Sequence, residues 1–204
     1  MTISPRGRRG RPSAAVGVLL TVALLLTATS PAAAEQQRTR DDRRDVVHAV
    51  FRNTGAPTTE PRPRNHAQDV VSIAVRYGGG RVRLALTVRD LPLRDFWVFW
   101  RVRTATATWS VGYIHESRRP EAFFERTDGE GRQDCAGLRA RRVDDAERVV
   151  MTFPRRCIGP REWIRTGGSA FRALNNGTLL VDDARLDGNI LRQGPAFGPR
   201  IAYN

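Results

Sequence analysis

The chain contains no lysine, so all 34 of its Lys and Arg residues are arginines. A protein that needs mobile point charges as well as planar guanidinium forks normally uses both residue types. The complete absence of lysine, beside many Ala, Gly, Pro and Val residues, is typical of a genome rich in G and C. We therefore interpret the net charge of +13 first as a coding bias. Binding to an anionic surface polymer or to nucleic acid is the alternative interpretation.

Long apolar runs are missing, except near the start of the chain. There, four arginines precede an apolar stretch from Ala14 to Leu26, and alanines at 32–34 follow it. This order is typical of a secretory signal peptide over residues 1–34. Its removal would leave 170 residues with a net charge of +9, since the leader holds four arginines and no acidic residue. No later stretch approaches the ~20 apolar residues that span a bilayer, so we expect a secreted, extracellular protein without a membrane span.

Cysteine is scarce, with only Cys135 and Cys157 in the chain. An even count in an exported protein predicts a disulfide, because the compartment is oxidising. Closing this loop would stabilise the fold by about 3.4 kcal/mol on chain-entropy grounds. A zinc site is the alternative, but no histidine is spaced as a ligand partner to either cysteine. We expect neither a metal nor a cofactor.

Helical periodicity is almost absent, and alternation of apolar and polar residues takes its place. Residues 71–77 and 82–88 alternate on either side of Gly78-Gly79-Gly80, which predicts a β-hairpin with one buried face. The same period recurs in later segments, namely 96–103, 109–113 and 138–153. We predict an all-β fold, a single antiparallel β-sandwich of jelly-roll or immunoglobulin-like type.

The segments around this region complete the predicted domain organisation. Residues 35–44 are polar and charged and are expected to form a flexible arm before the sandwich domain, residues 45–204. The tail from Thr178 onward is expected to be loop-rich and to wrap the sandwich rather than add strands. The disulfide is predicted to clamp the open end of the 138–153 hairpin, because one cysteine precedes the hairpin and the other follows it.

Motifs of known catalytic chemistries are also absent. There is no G-x-S-x-G elbow, H-E-x-x-H pair, P-loop or G-x-G-x-x-G. Carboxylate pairs for glycoside hydrolysis would have to come from Asp90 with Asp95, or from Asp182, Asp183 and Asp187. Asp90 and Asp95 flank a short link, where aspartate commonly bonds the backbone of a turn. We therefore favour a protein that is not an enzyme and keep a carboxylate-dependent hydrolase as the least favoured alternative.

Two loops carry side chains with several oxygens. These loops cover residues 128–134 and 183–189. Neither matches the EF-hand loop, and calcium needs about 6–8 oxygen ligands. We assign no metal site from the sequence, and calcium at these loops is left open.

Aromatic residues are concentrated in two neighbouring predicted strands. Trp97 and Phe99 share one face of strand 96–103 with Arg101, and Trp109 follows in the next strand. Flat rings beside arginines can stack on sugar rings. These four residues are therefore the candidate ligand-binding residues for a polysaccharide. The alternative is that the aromatics belong to the core of the sandwich.

A second candidate surface is basic and lies near the disulfide. It consists of Arg139, Arg141, Arg142, Arg155 and Arg156. Such a patch would bind phosphates without sequence preference, and its affinity would fall with salt. The alternative is a solvated, charged strand face that protects a sheet edge from aggregation.

Several short runs resemble a known group of proteins. These runs are Gln68-Asp69-Val70, Val88-Arg89-Asp90-Leu91, Cys135-Ala136-Gly137-Leu138 and Pro154-Arg155-Arg156-Cys157-Ile158-Gly159. They resemble small secreted β-sandwich proteins of actinobacteria, which carry a signal peptide and one hairpin disulfide and mostly have no assigned function. The resemblance covers roughly residues 69–166 and carries no functional residue across. Sandwiches of this size are also similar to non-catalytic carbohydrate-binding modules.

Together these observations favour an exported protein that binds rather than catalyses. The leading ligand class is a cell-envelope or extracellular polysaccharide, bound by the aromatic strand. The alternative is an anionic cell-envelope polymer bound by arginines. Nucleic acid is less favoured, because the absence of lysine makes the positive charge weaker support for such a partner.

Overall fold

The computed structural model describes residues 35–42, 44–51, 57–116, 119–129, 131–174, 178–191 and 193–204. The predicted signal peptide, residues 1–34, lies outside these ranges. The described residues belong to one unit, Ala32–Asn204, and form fourteen β-strands and two short 3-10 turns. None of these residues forms a helix that is long and apolar enough to cross a bilayer.

The strands are short and follow one another closely along the chain. In chain order they are β1 (Glu35–Arg40), β2 (Val47–Val50), β3 (Thr58–Pro61), β4 (Val70–Gly78), β5 (Arg81–Val88), β6 (Phe96–Arg103), β7 (Thr108–His115), β8 (Glu121–Arg126), β9 (Gly131–Arg132), β10 (Arg139–Val143), β11 (Arg148–Pro154), β12 (Trp163–Ala173), β13 (Thr178–Asp183) and β14 (Ile201–Ala202). The two 3-10 turns cover Asp144–Ala146 and Arg155–Ile158.

Two antiparallel sheets pack face to face. The smaller sheet has five strands in the order β1-β4-β5-β11-β10. The larger sheet has nine, in the order β3-β2-β13-β12-β6-β7-β8-β9, with β14 paired to β12. Buried side chains from both sheets form one continuous hydrophobic core. This arrangement confirms the predicted all-β fold, a single antiparallel β-sandwich.

The β4–β5 hairpin shows how the local sequence produces this architecture. Gly79 and Gly80 have φ angles of 59° and 76°, in the left-handed region that a two-residue turn of type I′ requires. The turn aligns Gly78 with Arg81 across the hairpin. The alternation that follows leaves Arg81 exposed and buries Val82 against the other sheet. The predicted hairpin is therefore confirmed, with the buried face that its pattern indicated.

The core between the sheets is filled by large side chains from both of them. Tyr77 and Phe153 of the smaller sheet, and Phe96 and Trp100 of the larger sheet, are at most 2% exposed. Burial of one such side chain contributes about 1.5–3 kcal/mol to folding. Because inward positions recur at every second residue of a strand, the residues between them point away from the core. Each sheet therefore has an outer face as well.

The predicted disulfide between Cys135 and Cys157 is confirmed. Cys135 precedes β10, and Cys157 lies in the 3-10 turn that follows β11. The bond thus joins the two chain segments at the open end of the β10–β11 hairpin, where strands otherwise fray. Both cysteines also contact the hydrophobic core.

The flexible arm predicted for residues 35–44 is wrong over its first part. Glu35–Arg40 forms β1, which lies antiparallel beside β4 with Gln37 opposite Val75. The edge of β4 presents backbone N–H and C=O groups that need partners, and β1 supplies them. The pairing of β1 with β4 could not be predicted from the polar side chains of this segment. Its strand conformation is stabilised by backbone hydrogen bonds to β4 and not by burial of an apolar face.

The C-terminal tail also differs from the expectation that it adds no strand. Its first residues form β13, which lies between β12 and β2 in the larger sheet. Residues 184–191 and 193–200 then form turns and irregular chain. Within this part, Ala196 approaches Gly167 of β12, so the irregular segment packs on the outer face of the larger sheet.

Replacing both cysteines, in the variant C135S/C157S, tests the contribution of the clamp. We expect the free energy of unfolding to fall by about 3 kcal/mol, because the unfolded chain regains the entropy that the closed loop removes. Guanidinium denaturation of the wild type and the variant measures this difference. Equal midpoints and slopes for the two proteins would contradict the stabilising role.

Candidate functional site

The outer face of the larger sheet carries the aromatic residues of the predicted sugar-binding strand. Trp97 and Phe99 of β6 point outward, opposite Phe171 and Ser169 of β12. The Trp97 and Phe171 rings meet edge to face, with centroids 4.9 Å apart and planes at 74°. The centroid of the Phe99 ring also lies 6.3 Å from that of Phe171. The rings pack against one another, so they do not form a row of parallel, open faces.

Trp109 does not join these residues, and its assignment to the same binding surface is wrong. It lies on β7 opposite Val102, with its side chain directed into the core between the sheets. The residue is 6% exposed, and its ring packs against Phe124 at a centroid distance of 6.5 Å. Alternation along β7 explains the position, since Trp109 shares its face with the buried Val111.

Arg101, the fourth predicted ligand-binding residue, is held by the C-terminal tail. Its guanidinium carbon lies 4.4 Å from the centroid of the Phe197 ring, a cation–π contact. Burial, followed by the charge of Arg103, lowers the pKa of the Arg101 guanidinium. Gly194 of the tail lies against the side chains of both Arg101 and Phe99. The tail therefore covers part of the face on which these residues lie.

A cavity of about 150 Å³ remains between the tail and the larger sheet. It is lined by Phe51, Phe99, Ser169, Phe171, Leu179, Val181, Asp183, Ile190, Leu191, Gly194 and Pro195. Asp183 is the one acidic residue among the described residues of this lining, and burial raises the pKa of its carboxyl to about 6. The backbone N–H groups of Ala196 and Arg185 donate to its two oxygens. These two hydrogen bonds join the tail to β13. Phe171, Leu179, Val181 and Ile190 of the lining also belong to a second, smaller hydrophobic core, so the cavity lies within that core.

The outer face of the smaller sheet has the opposite character. Its arginines come from all five strands: Arg38, Arg40, Arg76, Arg81, Arg83, Arg139, Arg141 and Arg148. We call this surface the arginine face. The other side chains directed outward from these strands are neutral, and no acidic residue lies among them: Gln36, Ser72, Ala74, Ala85, Thr87, Val143, Val150, Thr152 and Pro154.

The arginines surround a small apolar floor. In the middle row of the sheet, Ala74, Ala85 and Val150 lie side by side. Arg38 stands at one end of this row and Arg141 at the other. A shallow cavity of about 210 Å³ opens over part of the floor. It is lined by Gln36, Ala74, Val75, Arg76, Arg83, Ala85 and Arg148.

The arginine face is not neutralised by the protein itself. Among the described residues, none of its eight arginines forms an ion pair with a carboxylate. Arg81 donates to the Gly137 carbonyl oxygen at 3.4 Å. All except the partly buried Arg148 are exposed. Eight positive charges thus share one side of one sheet, where like charges repel and an external anion would reduce the repulsion.

The basic patch predicted near the disulfide is only partly brought together. Arg139 and Arg141 belong to the arginine face, whereas the other three side chains are engaged elsewhere. Arg142 pairs with Asp144 and donates to the Leu91 carbonyl oxygen at 2.8 Å.

Arg155 and Arg156, the remaining members of that patch, bind neighbouring parts of the chain. Arg155 lies 3.6 Å from the centroid of the Tyr203 ring, and Arg156 donates to the Ala136 carbonyl oxygen at 2.8 Å. Of the five predicted residues, Arg139 and Arg141 therefore point outward from the smaller sheet, and the other three contact other parts of the chain.

The carboxylates considered for hydrolysis are dispersed. Asp90 and Asp95 are exposed on the connection between β5 and β6. Asp182 and Asp183 are successive residues of β13, so their side chains point to opposite faces of the larger sheet. Asp187 is exposed in the following turn. This placement does not assemble the pair of carboxyls across one cleft that glycoside hydrolysis requires.

No protein-family model matches this chain, and no curated protein sequence matches it.

The contact between the tail and β12 can be tested with Gly167→Ala. A Cβ atom at Gly167 would lie 2.2 Å from the Ala196 carbonyl oxygen, so the tail has to move. We expect a loss of about 1–3 kcal/mol in stability and faster proteolysis within residues 184–200. Ala173→Ser, at an exposed position of the same strand, is the control. If Gly167→Ala matched this control in both measurements, the tail would not be packed on β12.

Proposed function

We propose that the protein is an exported, non-catalytic binding protein that holds an anionic polysaccharide of the cell envelope or extracellular space on the arginine face. The observation that carries the proposal is the placement of eight arginines and no acidic residue on one face of one sheet. Export is supported by the leader-like residues 1–34 and by the disulfide, which is typical of oxidising compartments.

Arginine suits this ligand class. Its planar guanidinium can donate two parallel hydrogen bonds to one carboxylate, sulfate or phosphate group. Because neighbouring strands are about 4.8 Å apart, five strands present these forks over a width of about 19 Å. A linear polymer with an anionic group on successive units could therefore contact several arginines at once. The sheet fixes the positions of their Cα atoms before binding, which reduces the ordering cost.

The apolar floor gives the polymer backbone a place to lie. Ala74 and Ala85 are short, and the long side chains of Arg76 and Arg83 stand beside them in the next row of the sheet, toward the hairpin turn. A sugar ring could rest on these methyl groups while its carboxylate or phosphate reaches the surrounding guanidinium groups. This arrangement combines the two ligand classes that the sequence favoured, a polysaccharide and an anionic polymer.

The outer face of the larger sheet supports a ligand site less well. Trp97 and Phe171 meet edge to face, and the tail contacts Phe99 and Arg101. Stacking on sugars requires open ring faces, whereas these rings cover one another. We therefore assign the outer face of the larger sheet mainly to stability.

Binding to polygalacturonate, with uncharged dextran as the comparison, tests the proposal. We expect binding to polygalacturonate only, with an affinity that falls steeply between about 50 and 200 mM salt because bound counterions are released. The double variant R76Q/R83Q should lose at least about tenfold in affinity at low salt, since it removes two charge-assisted contacts. Its plot of log affinity against log salt should also be less steep.

The control variant R64Q/R94Q makes the same change in charge at exposed loop positions. It should retain nearly all of the affinity, because its arginines lie outside the arginine face. Equal losses for both variants would show a dependence on net charge alone and would contradict a defined face. Equal binding to dextran and polygalacturonate would assign the ligand to a different surface.

A further inference from the structure

A group of carboxylates converges where the two sheets meet at the end of β1. Asp41 directly follows β1 of the smaller sheet, Asp45 precedes β2, and Asp182 lies on β13 of the larger sheet. One oxygen atom from each of the three lies within 4.8 Å of those of the other two. The three residues are far apart in sequence, so the packing of the sheets brings them together.

Each carboxylate is oriented through one oxygen, while the other has no partner. Oδ2 of Asp182 accepts from the Val70 N–H at 2.6 Å, and Oδ2 of Asp45 accepts from the Gly188 N–H at 3.4 Å. Oδ1 of Asp41 accepts from the Asp42 N–H at 3.1 Å. The remaining oxygens, Asp41 Oδ2, Asp45 Oδ1 and Asp182 Oδ1, are shielded from solvent and have no hydrogen-bond partner among the described residues.

Asp182 makes this group more than a set of surface acids. The residue is only 1% exposed, it reaches the group from the inner face of β13, and its Oδ1 has no hydrogen-bond donor. A buried carboxylate without a donor is costly unless a proton or a cation neutralises it. Because the Asp182 carboxylate lies beside Asp41 and Asp45, a cation bound between the three carboxylates would stabilise it.

A fourth buried carboxylate adds to the negative charge. Asp69 has a side chain that is 0% exposed, and its Oδ2 forms an ion pair with Arg89 at 2.7 Å and accepts a hydrogen bond from the Arg44 N–H at 3.0 Å. Its Oδ1 has no partner among the described residues, and its charge acts on both Asp45 and Asp182.

The arginines that the structure describes near this group do not neutralise it. Arg89 pairs with Asp69. The charge of Arg185 acts on Asp41, but no hydrogen bond or ion pair joins these two side chains. Burial and mutual repulsion raise the pKa of Asp41 to about 8 and that of Asp182 to about 9.

We propose that Asp41, Asp45 and Asp182 bind a calcium ion. Carboxylate oxygens are the ligands that hard divalent cations prefer, and calcium holds oxygens at about 2.3–2.6 Å. Two oxygens on one calcium ion are thus at most about 5.2 Å apart. The three ligand oxygens of this group lie within 4.8 Å of one another and satisfy this limit. Water and backbone carbonyl oxygens would complete the coordination. Magnesium is less suited, because it demands shorter distances and near-ideal octahedral geometry.

The calcium ion would join the two sheets at one point. Asp41 continues from β1, at the edge of the smaller sheet, whereas Asp182 belongs to the larger sheet. Binding would therefore fix the end of β1 and the segment that leads to β2, and the native state would gain stability relative to the unfolded chain. This site differs from the oxygen-rich loops 128–134 and 183–189 that the sequence suggested. Its ligands are Asp182, which directly precedes the second loop, and the distant Asp41 and Asp45.

Calcium titration of protein prepared in EDTA at pH 7.5 tests the site. We expect binding by isothermal titration calorimetry and, at calcium concentrations about 100-fold above Kd, a rise in Tm of about 5–10 °C. Magnesium at the same concentration should produce a clearly smaller rise. No calorimetric binding and no change in Tm would overturn the proposal and would leave protonation as the way in which the group is neutralised.

Two variants and one control locate the site. D45N and D182N keep the shape of the side chain, relieve the repulsion and remove a ligand charge, so each should fold in EDTA but lose most of the rise in Tm with calcium. D90N changes an exposed aspartate of the β5–β6 connection and should respond as the wild type does. If D182N fails to fold, the change in Tm of D45N with calcium decides whether the ion binds at this group. An unchanged calcium response in D45N would place the ion elsewhere and overturn the assignment.

Discussion

The burial of one face of every long strand against the opposite sheet is the constraint on which the rest of this structure depends. It requires apolar side chains at every second residue, as in β5, where Val82, Leu84 and Leu86 are at most 1% exposed. The residues between them point to the outer face of the sheet, so packing in the core does not restrict which side chains they carry. Because the two sheets share one core, their outer faces are separated by it and can differ completely in composition.

The two outer faces differ in how far their side chains are exposed to solvent. On the larger sheet, outward aromatic side chains such as Phe171 pack with Ile190 of the tail, and a second small core results. On the smaller sheet, the outward positions are mostly arginine or small and polar, and none of the segments that the structure describes covers them. The arginines also protect the edge strands β1 and β10 from pairing with other chains. That protection and ligand binding are compatible, because both require an exposed, charged sheet.

The sequence predicted the local parts of this fold and missed those that depend on distant neighbours. The hairpin around Gly79 and strand 96–103 follow from alternation within one segment, and both were correct. β1 forms only because β4 offers it an edge. The arginine face joins Arg38 to Arg141 through the strand order, which alternation within one segment cannot give. Trp109 was misplaced although its alternation with Val111 already indicated an inward position.

The central claim is that the arginine face, and not the total charge, binds the anionic ligand. NMR titration of the arginine Nε–Hε signals with polygalacturonate tests this most directly, because each guanidinium group reports on its own surroundings. We predict that the signals of Arg76, Arg83 and Arg148 shift together and saturate, while those of Arg142 and Arg155, which are engaged within the protein, remain in place. Small shifts spread evenly over all arginines, without saturation, would contradict the claim.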